Sequence, residues 1–199
     1  MKKASLILLT VALGIFQACN SNNNDSVDAA KDSNENKDTS MLTTNSDTSR
    51  VAAMQPVDED DAEFAVEAAN GGMMEVELGN YAVQNAASQR VKDFAAMIVR
   101  DHSKANEDLK AIAASKNITL PATVGDDARK HMNDMMKMKG KDFDKHYMDM
   151  MVDDHKKDIK AFETASTDCK DAELKSFASN TLPVLRMHLD STKAIVGRK

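Results

Sequence analysis

The chain predicts an all-α domain built as an antiparallel four-helix bundle with a short extra helix in the crossover, and three observations carry that reading. Apolar residues recur every three or four positions through most of residues 58–199. No stretch there alternates apolar and polar residues with the period of a strand. Short turns headed by capping residues separate the long periodic runs.

The first long helix is expected from about Glu59 to Ala87. Asp58 is placed to cap it, and acidic residues crowd its first turn, where the helix dipole favours them. Its inward stripe reads Phe64, Ala68, Gly71, Glu75, Leu78 and Ala82. Gly71 and Gly72 cost helix propensity, and close approach of a neighbouring helix is the expected compensation. The second follows the cap Ser88 and runs to about Lys116, with Phe94, Ile98, His102 and Leu109 inward. A loop with Pro121 and a short helix from about Asp126 to Lys139 lead to Gly140. The third long helix is expected over about Lys141 to Ser166, burying Phe143, Tyr147, Met151, His155 and Phe162. Asp171 heads the fourth, which carries Leu174, Phe177, Leu182 and Leu185 to about Val196 and contains Pro183, a residue that bends helices. The turns near Ser88 and Asp168 are short, so each joins an antiparallel hairpin.

Four polar residues interrupt the inward stripes: Glu75, His102, His155 and His188. Glu75 lies 13 residues before Ser88 and His102 lies 14 after it, so the two share a depth. His155 lies 13 residues before Asp168, again at mid-helix. His188 lies 20 residues after Asp168, which places it about 9 Å too deep at ~1.5 Å per residue and makes it the outlying member. Buried carboxylates and imidazoles must find partners. Two readings of the ring stay open. It is a hydrogen-bonded polar core, with Tyr81 or Tyr147 contributing, or it holds a transition metal, for which this donor set suits Zn, Fe, Mn or Cu. Asp101 and Asp154 each precede a ring histidine. Neighbours on a helix point about 100° apart, so these carboxylates are expected to pair with Lys104 and Lys157 or to support the ligands from behind.

Other chemistry is thinner. The methionines around Met132, Met135, Met136 and Met151 would suit Cu(I), but their spacing fits core packing equally well. His131 and His146 fall on polar faces. Cys169, in a turn beside Asp168, has no histidine close in sequence to activate it. No nucleophile triad, phosphate loop, CxxC or HExxH is present, so an established hydrolase or nucleotide-dependent enzyme is not expected. A net charge of −6 argues against a nucleic-acid surface.

Ahead of the domain, residues 1–18 have the form of a signal peptide: basic Lys2 and Lys3, then an apolar run from Ala4 to Phe16. Phe16-Gln17-Ala18-Cys19 resembles a bacterial lipoprotein box, which implies cleavage before Cys19 and its lipidation, with the membrane as partner through the acyl chains. Residues 19–57 are rich in Asn, Ser, Asp and Thr and read as a disordered linker.

Four ordered blocks carry a further resemblance: Gly71-Gly72-Met73-Met74-Glu75-Val76-Glu77-Leu78-Gly79, Arg100-Asp101-His102-Ser103-Lys104, Val152-Asp153-Asp154-His155, and Thr181-Leu182-Pro183 followed by Arg186-Met187-His188. Over about residues 59–195 the chain resembles the ferritin-like family called domain of unknown function 4142, whose members are often labelled outer-membrane proteins. The resemblance implies a ferritin-like bundle facing the periplasm of a bacterial envelope, the outer membrane rather than the inner, and no established activity. The di-iron pattern of ferritin-like folds sets a glutamate three residues before a histidine; here those positions are Val99, Val152 and Leu185. The expectation is therefore a non-enzymatic envelope protein with a mononuclear metal in the ring. A metal-free interaction module, with no partner identified, and a metal-dependent oxidoreductase are the alternatives.

Overall fold

The computed structural model describes residues 25–41 and 57–197. Six helices form there: α1 (Ser26–Met41), α2 (Glu59–Asn85), α3 (Gln89–Ser115), α4 (Asp126–Met136), α5 (Gly140–Asp168) and α6 (Ala172–Val196). No strand occurs among the described residues. The expected bundle is present: α2 and α3 form one hairpin, α5 and α6 the other, and α4 lies in the crossover.

Buried carboxylates anchor each hairpin turn from the opposite hairpin. Asp144 of α5 accepts from the backbone amides of Ala87 (2.8 Å) and Ser88 (2.7 Å) in the α2–α3 turn. Asp61 of α2 accepts from Lys170 N (3.1 Å) and Asp171 N (2.7 Å) in the α5–α6 turn. Amides at a turn or helix start lack partners within their own segment, and a facing carboxylate supplies them. Asp58 and Asp171 cap α2 and α6 through their side chains, as expected.

Two apolar cores fill the bundle. One, around Leu78, Phe94, Ile98, Phe143, Tyr147 and Met151, lies at the α4 end; most of the methionines pack here, with Met132 and Met135 fully or nearly buried. The other, around Ala65, Leu109, Phe162, Leu174, Phe177 and Leu185, lies toward the α5–α6 turn. Gly72 lets α3 approach α2, because a Cβ there would sit 2.1 Å from Asn106 Oδ1. Gly71 has nothing within 4 Å of that position and faces open space. The buried face of α2 is accordingly Ala65, Val66, Ala69 and Gly72, one residue on from the expected Phe64, Ala68 and Gly71, and the two faces merge at Glu75.

Residues 19–57 do not all read as linker. Ser26–Met41 form α1, and its first half docks on the domain. Val27 and Ala30 bury against Val66, and Lys31 pairs with Glu63 (3.1 Å) and Glu67 (2.6 Å). Asp25 accepts from Val27 N and from Asp126 N at the head of α4, while Ser26 Oγ accepts from Ala122 N. Composition misled here because the docking is mostly polar. Two small apolar residues are too few for a visible hydrophobic stripe. Cys19 and the 1–18 signal lie outside the described residues. Among the described residues, no helix is long and apolar enough to cross a membrane.

Candidate metal centre

Between the two cores lies a polar layer of Glu75 (α2), His102 (α3), His155 (α5) and His188 (α6), all buried. All four sequence-selected residues therefore meet at the waist. The ring centroids stand 5.6 Å apart for His102–His155 and 5.3 Å for each pair that includes His188.

His188 is not the outlier that residue counting made it. His155 lies thirteen residues inside the end of α5, and His188 sixteen inside the start of α6. The same three-residue offset separates Glu75 from His102 in the other hairpin. At ~1.5 Å per residue that is about 4.5 Å, and side chains lean toward the N-terminus of their own helix. In an antiparallel hairpin the first member therefore leans away from the turn and the second toward it, which closes the gap. Counting from Asp168 also ignored the turn residues before Ala172.

Each imidazole has one nitrogen committed to an acceptor. His102 Nδ1 donates to Glu75 Oε2 (2.8 Å), His155 Nδ1 to the Met151 carbonyl (2.9 Å), and His188 Nε2 to Asp101 Oδ2 (3.0 Å). A neutral ring carries one proton, so these acceptors fix the tautomers. The remaining nitrogens, His102 Nε2, His155 Nε2 and His188 Nδ1, are then bare. One ligating atom from each ring lies within 4.8 Å of those of the others. His155 Nε2 and His188 Nδ1 are 3.2 Å apart, two lone pairs facing each other. His102 Nε2 is buried without a partner. Two such nitrogens repel unless a proton or a metal ion lies between them. With Zn–N bonds of ~2.0–2.1 Å, a tetrahedral ion needs its nitrogens about 3.3 Å apart, so one edge of the site is already at ligating distance.

Glu75 stands beside the three nitrogens as the acceptor that orients His102. Its Oε1 lies 3.4 Å from His155 Nδ1, but that nitrogen's proton is directed to Met151. Oε1 is left without a partner. Asp101 does not pair with Lys104, which pairs with Asp108; it accepts from His188 of the opposite hairpin and is paired with Arg100 (2.7 Å). Asp154 pairs weakly with Lys157 (3.7 Å). Tyr81 donates to the Met136 carbonyl, and Tyr147 OH is buried without a partner, so neither tyrosine completes the ring.

Burial dominates the electrostatics. It holds His102 and His155 down at about 4, so both rings stay neutral. His188 is lowered for the same reason, against the hydrogen bond to Asp101, which raises it. Burial pushes Glu75 up to about 7, against the pull of His155. Asp158 is also raised by burial, and Glu75 and Asp154 add to the rise. Sequence reasoning missed Asp158. Its position four residues after Asp154 and three after His155 puts it on one face with them. Burial lifts the Cys169 thiol to about 12, so it is held as the thiol rather than the nucleophilic thiolate at neutral pH. His131 and His146 are exposed, as expected.

The fold and the cluster together define an all-helical bundle with a buried three-histidine centre. The model of the family described as Domain of unknown function (DUF4142) matches residues 46–195, and the chain belongs to that family. No curated protein and no solved structure is similar enough to match.

Proposed function

We propose that this protein is a lipid-anchored envelope protein that binds one transition-metal ion through His102, His155 and His188. The observation that carries the proposal is the set of three bare nitrogens with tautomers fixed from outside, above all the 3.2 Å contact between His155 Nε2 and His188 Nδ1. An all-imidazole donor set favours Zn or Cu over Mn, which prefers oxygen ligands. Fe remains compatible with imidazole donors. Glu75 and Asp101 support two of the ligands from behind, as carboxylates commonly do for metal-bound histidines. His155 and His188 are fully buried, which favours holding an ion over turning a substrate over. The anchor is Cys19, with the domain facing the periplasm, and the outer membrane is the favoured site. Asp25, where the docking begins, is six residues after Cys19, a span of about 20 Å at most. The domain then rides close to the bilayer.

Metal analysis of the purified full chain tests the first part. One equivalent of Zn or Cu is expected, lost in His188→Ala and kept in His131→Ala. Less than a tenth of an equivalent after exposure to Zn, Fe, Mn and Cu overturns it and leaves a metal-free module whose ring only sets helix register. Palmitate labelling tests the second: Cys19→Ser should abolish the label and release the protein from membranes.

A further inference from the structure

A groove of about 880 Å³ runs between α2 and α5, from Asp58 to Glu75 on one side and from Asp154 to Lys170 on the other. At ~1.5 Å per residue the α2 side is about 25 Å long. Its chemistry is divided along that length. Glu75, Asp154 and Asp158 line the deep end at the waist; Phe64, Ala68, Ala161 and Phe162 line the middle together with Lys160 and with Glu63 and Glu67, which are paired with Lys31; Asp58, Asp60 and Asp168 lie at the mouth. Two carboxylate oxygens at the deep end, Glu75 Oε1 and Asp154 Oδ2, are buried with no donor, and Glu75 as a whole is only 2% exposed. Lys157 reaches only Asp154 Oδ1, and Lys170 is paired with Asp58.

We infer that this groove binds a linear aliphatic polyamine, with one ammonium on Glu75, Asp154 and Asp158, the methylene chain along Phe64 and Phe162, and a second cationic nitrogen toward the acidic mouth. An ammonium has three donors and no acceptor, which matches a pocket of bare carboxylate oxygens. The apolar strip of Phe64, Ala68, Ala161 and Phe162 suits a hydrocarbon spacer. A bare inorganic ion fits less well: among the described residues only the three histidines converge tightly enough to ligate one, and the carboxylates do not. The acidic chain, at −6, favours a polycation. This inference uses none of the three histidines, and it shares with the metal proposal only Glu75, through Oε1, the oxygen that does not accept from His102.

Spermidine titrated calorimetrically into the full chain at low salt is the test. Saturable one-to-one binding is expected, and a neutral diol of similar length should not bind. Gly71→Leu should weaken binding at least tenfold. The new side chain enters open groove space, the substitution improves helix propensity, and the charge is unchanged, so folding and zinc content should be kept. Asp158→Asn should weaken binding to a similar degree, whereas His188→Ala should bind spermidine normally while losing zinc. The inference is overturned if wild type shows no saturable binding or if Gly71→Leu binds as well as wild type. It is also overturned if Mg²⁺ displaces spermidine beyond the effect of NaCl at matched ionic strength, which would assign the groove to inorganic cations.

Discussion

Replacing Asp144 with alanine should unfold the bundle at a markedly lower temperature. The residue lies outside the metal centre and is 8% exposed. Its carboxylate accepts two short bonds, 2.8 and 2.7 Å, from consecutive amides of the α2–α3 turn. Hydrogen bonds to a charged acceptor contribute about 1.5–3 kcal/mol each, and the lower figure suits a site at the edge of solvent, where water can reach the orphaned amides. The loss is then about 3 kcal/mol. For a domain of this size 1 kcal/mol corresponds to roughly 2–4 °C, so the melting temperature should fall by about 6–12 °C. Asp144→Asn should fall in between, because its amide keeps one acceptor oxygen but turns an NH₂ toward a donor. Circular dichroism melts of both variants, with exposed Asp190→Ala as control, make the measurement. A drop under 2 °C for Asp144→Ala would refute the view that cross-hairpin carboxylates hold the turns, and Asp61→Ala, which removes the equivalent anchor at the other turn, gives an independent check.

Asp101→Ala should weaken zinc binding by about 10- to 100-fold through loss of the His188 tautomer, with the far-UV spectrum unchanged; competition with a chelating dye reads it, and equal affinity would remove Asp101 from the site. Acid should release the metal late. A ligand histidine must be neutral, and burial keeps His102 and His155 neutral down to about 4, so proton competition begins well below the ordinary histidine pKa. A zinc-release midpoint near pH 6.5 would contradict this. Without metal the sign is the familiar one for a depressed histidine: each ring charges in the unfolded chain below about 6.5 but stays neutral in the fold, so these two rings remove stability as the pH falls from there toward 4. The Cys169 thiol, 5% exposed and pushed up to about 12, should react with a disulfide reagent only under denaturing conditions; rapid labelling of the native protein would show the α5–α6 turn to be open.

The order and ends of the bundle helices α2, α3, α5 and α6 were readable because the stripes are long and the punctuation is strong. Asp58 and Asp171 cap where expected, and the ends of α2, α3 and α6 fall within about two residues of the sequence reading, the usual latitude for helix boundaries. The histidines were readable because an imidazole in an apolar stripe breaks the pattern. What stayed hidden required knowledge of neighbours. Nothing local to Asp101 says that it reaches His188 across the bundle, since that depends on the packing of α3 against α6. Asp61 sits in the first turn of α2 and Asp144 just past the first turn of α5, near helix starts where acids are common, so a buried anchor looks like an ordinary dipole partner. α1 was hidden for the opposite reason: its contacts are side-chain hydrogen bonds to loop amides, such as Asn34 with Thr119, and these leave no periodic trace.

The arrangement of charge argues for one ion at the waist and against two. Two-iron centres in helical bundles are held by four carboxylates and two histidines, which offset a large positive charge away from water. Here the positions three residues before the ring histidines carry Val99, Val152 and Leu185, and the last two are buried in the apolar packing. The two carboxylates bonded to the rings, Glu75 and Asp101, are turned toward ring N–H groups on the far side of the imidazoles. Asp101 is already partly neutralised by Arg100. Such a shell can compensate a single divalent ion held by three neutral nitrogens. A second ion would bring two more buried positive charges, at several kcal/mol per charge, and the free oxygens nearby, Glu75 Oε1 and Asp154 Oδ2, do not converge with the histidines tightly enough to share an ion with them. Metal analysis of the loaded chain decides the matter, since two equivalents bound with equal affinity would require ligands other than these.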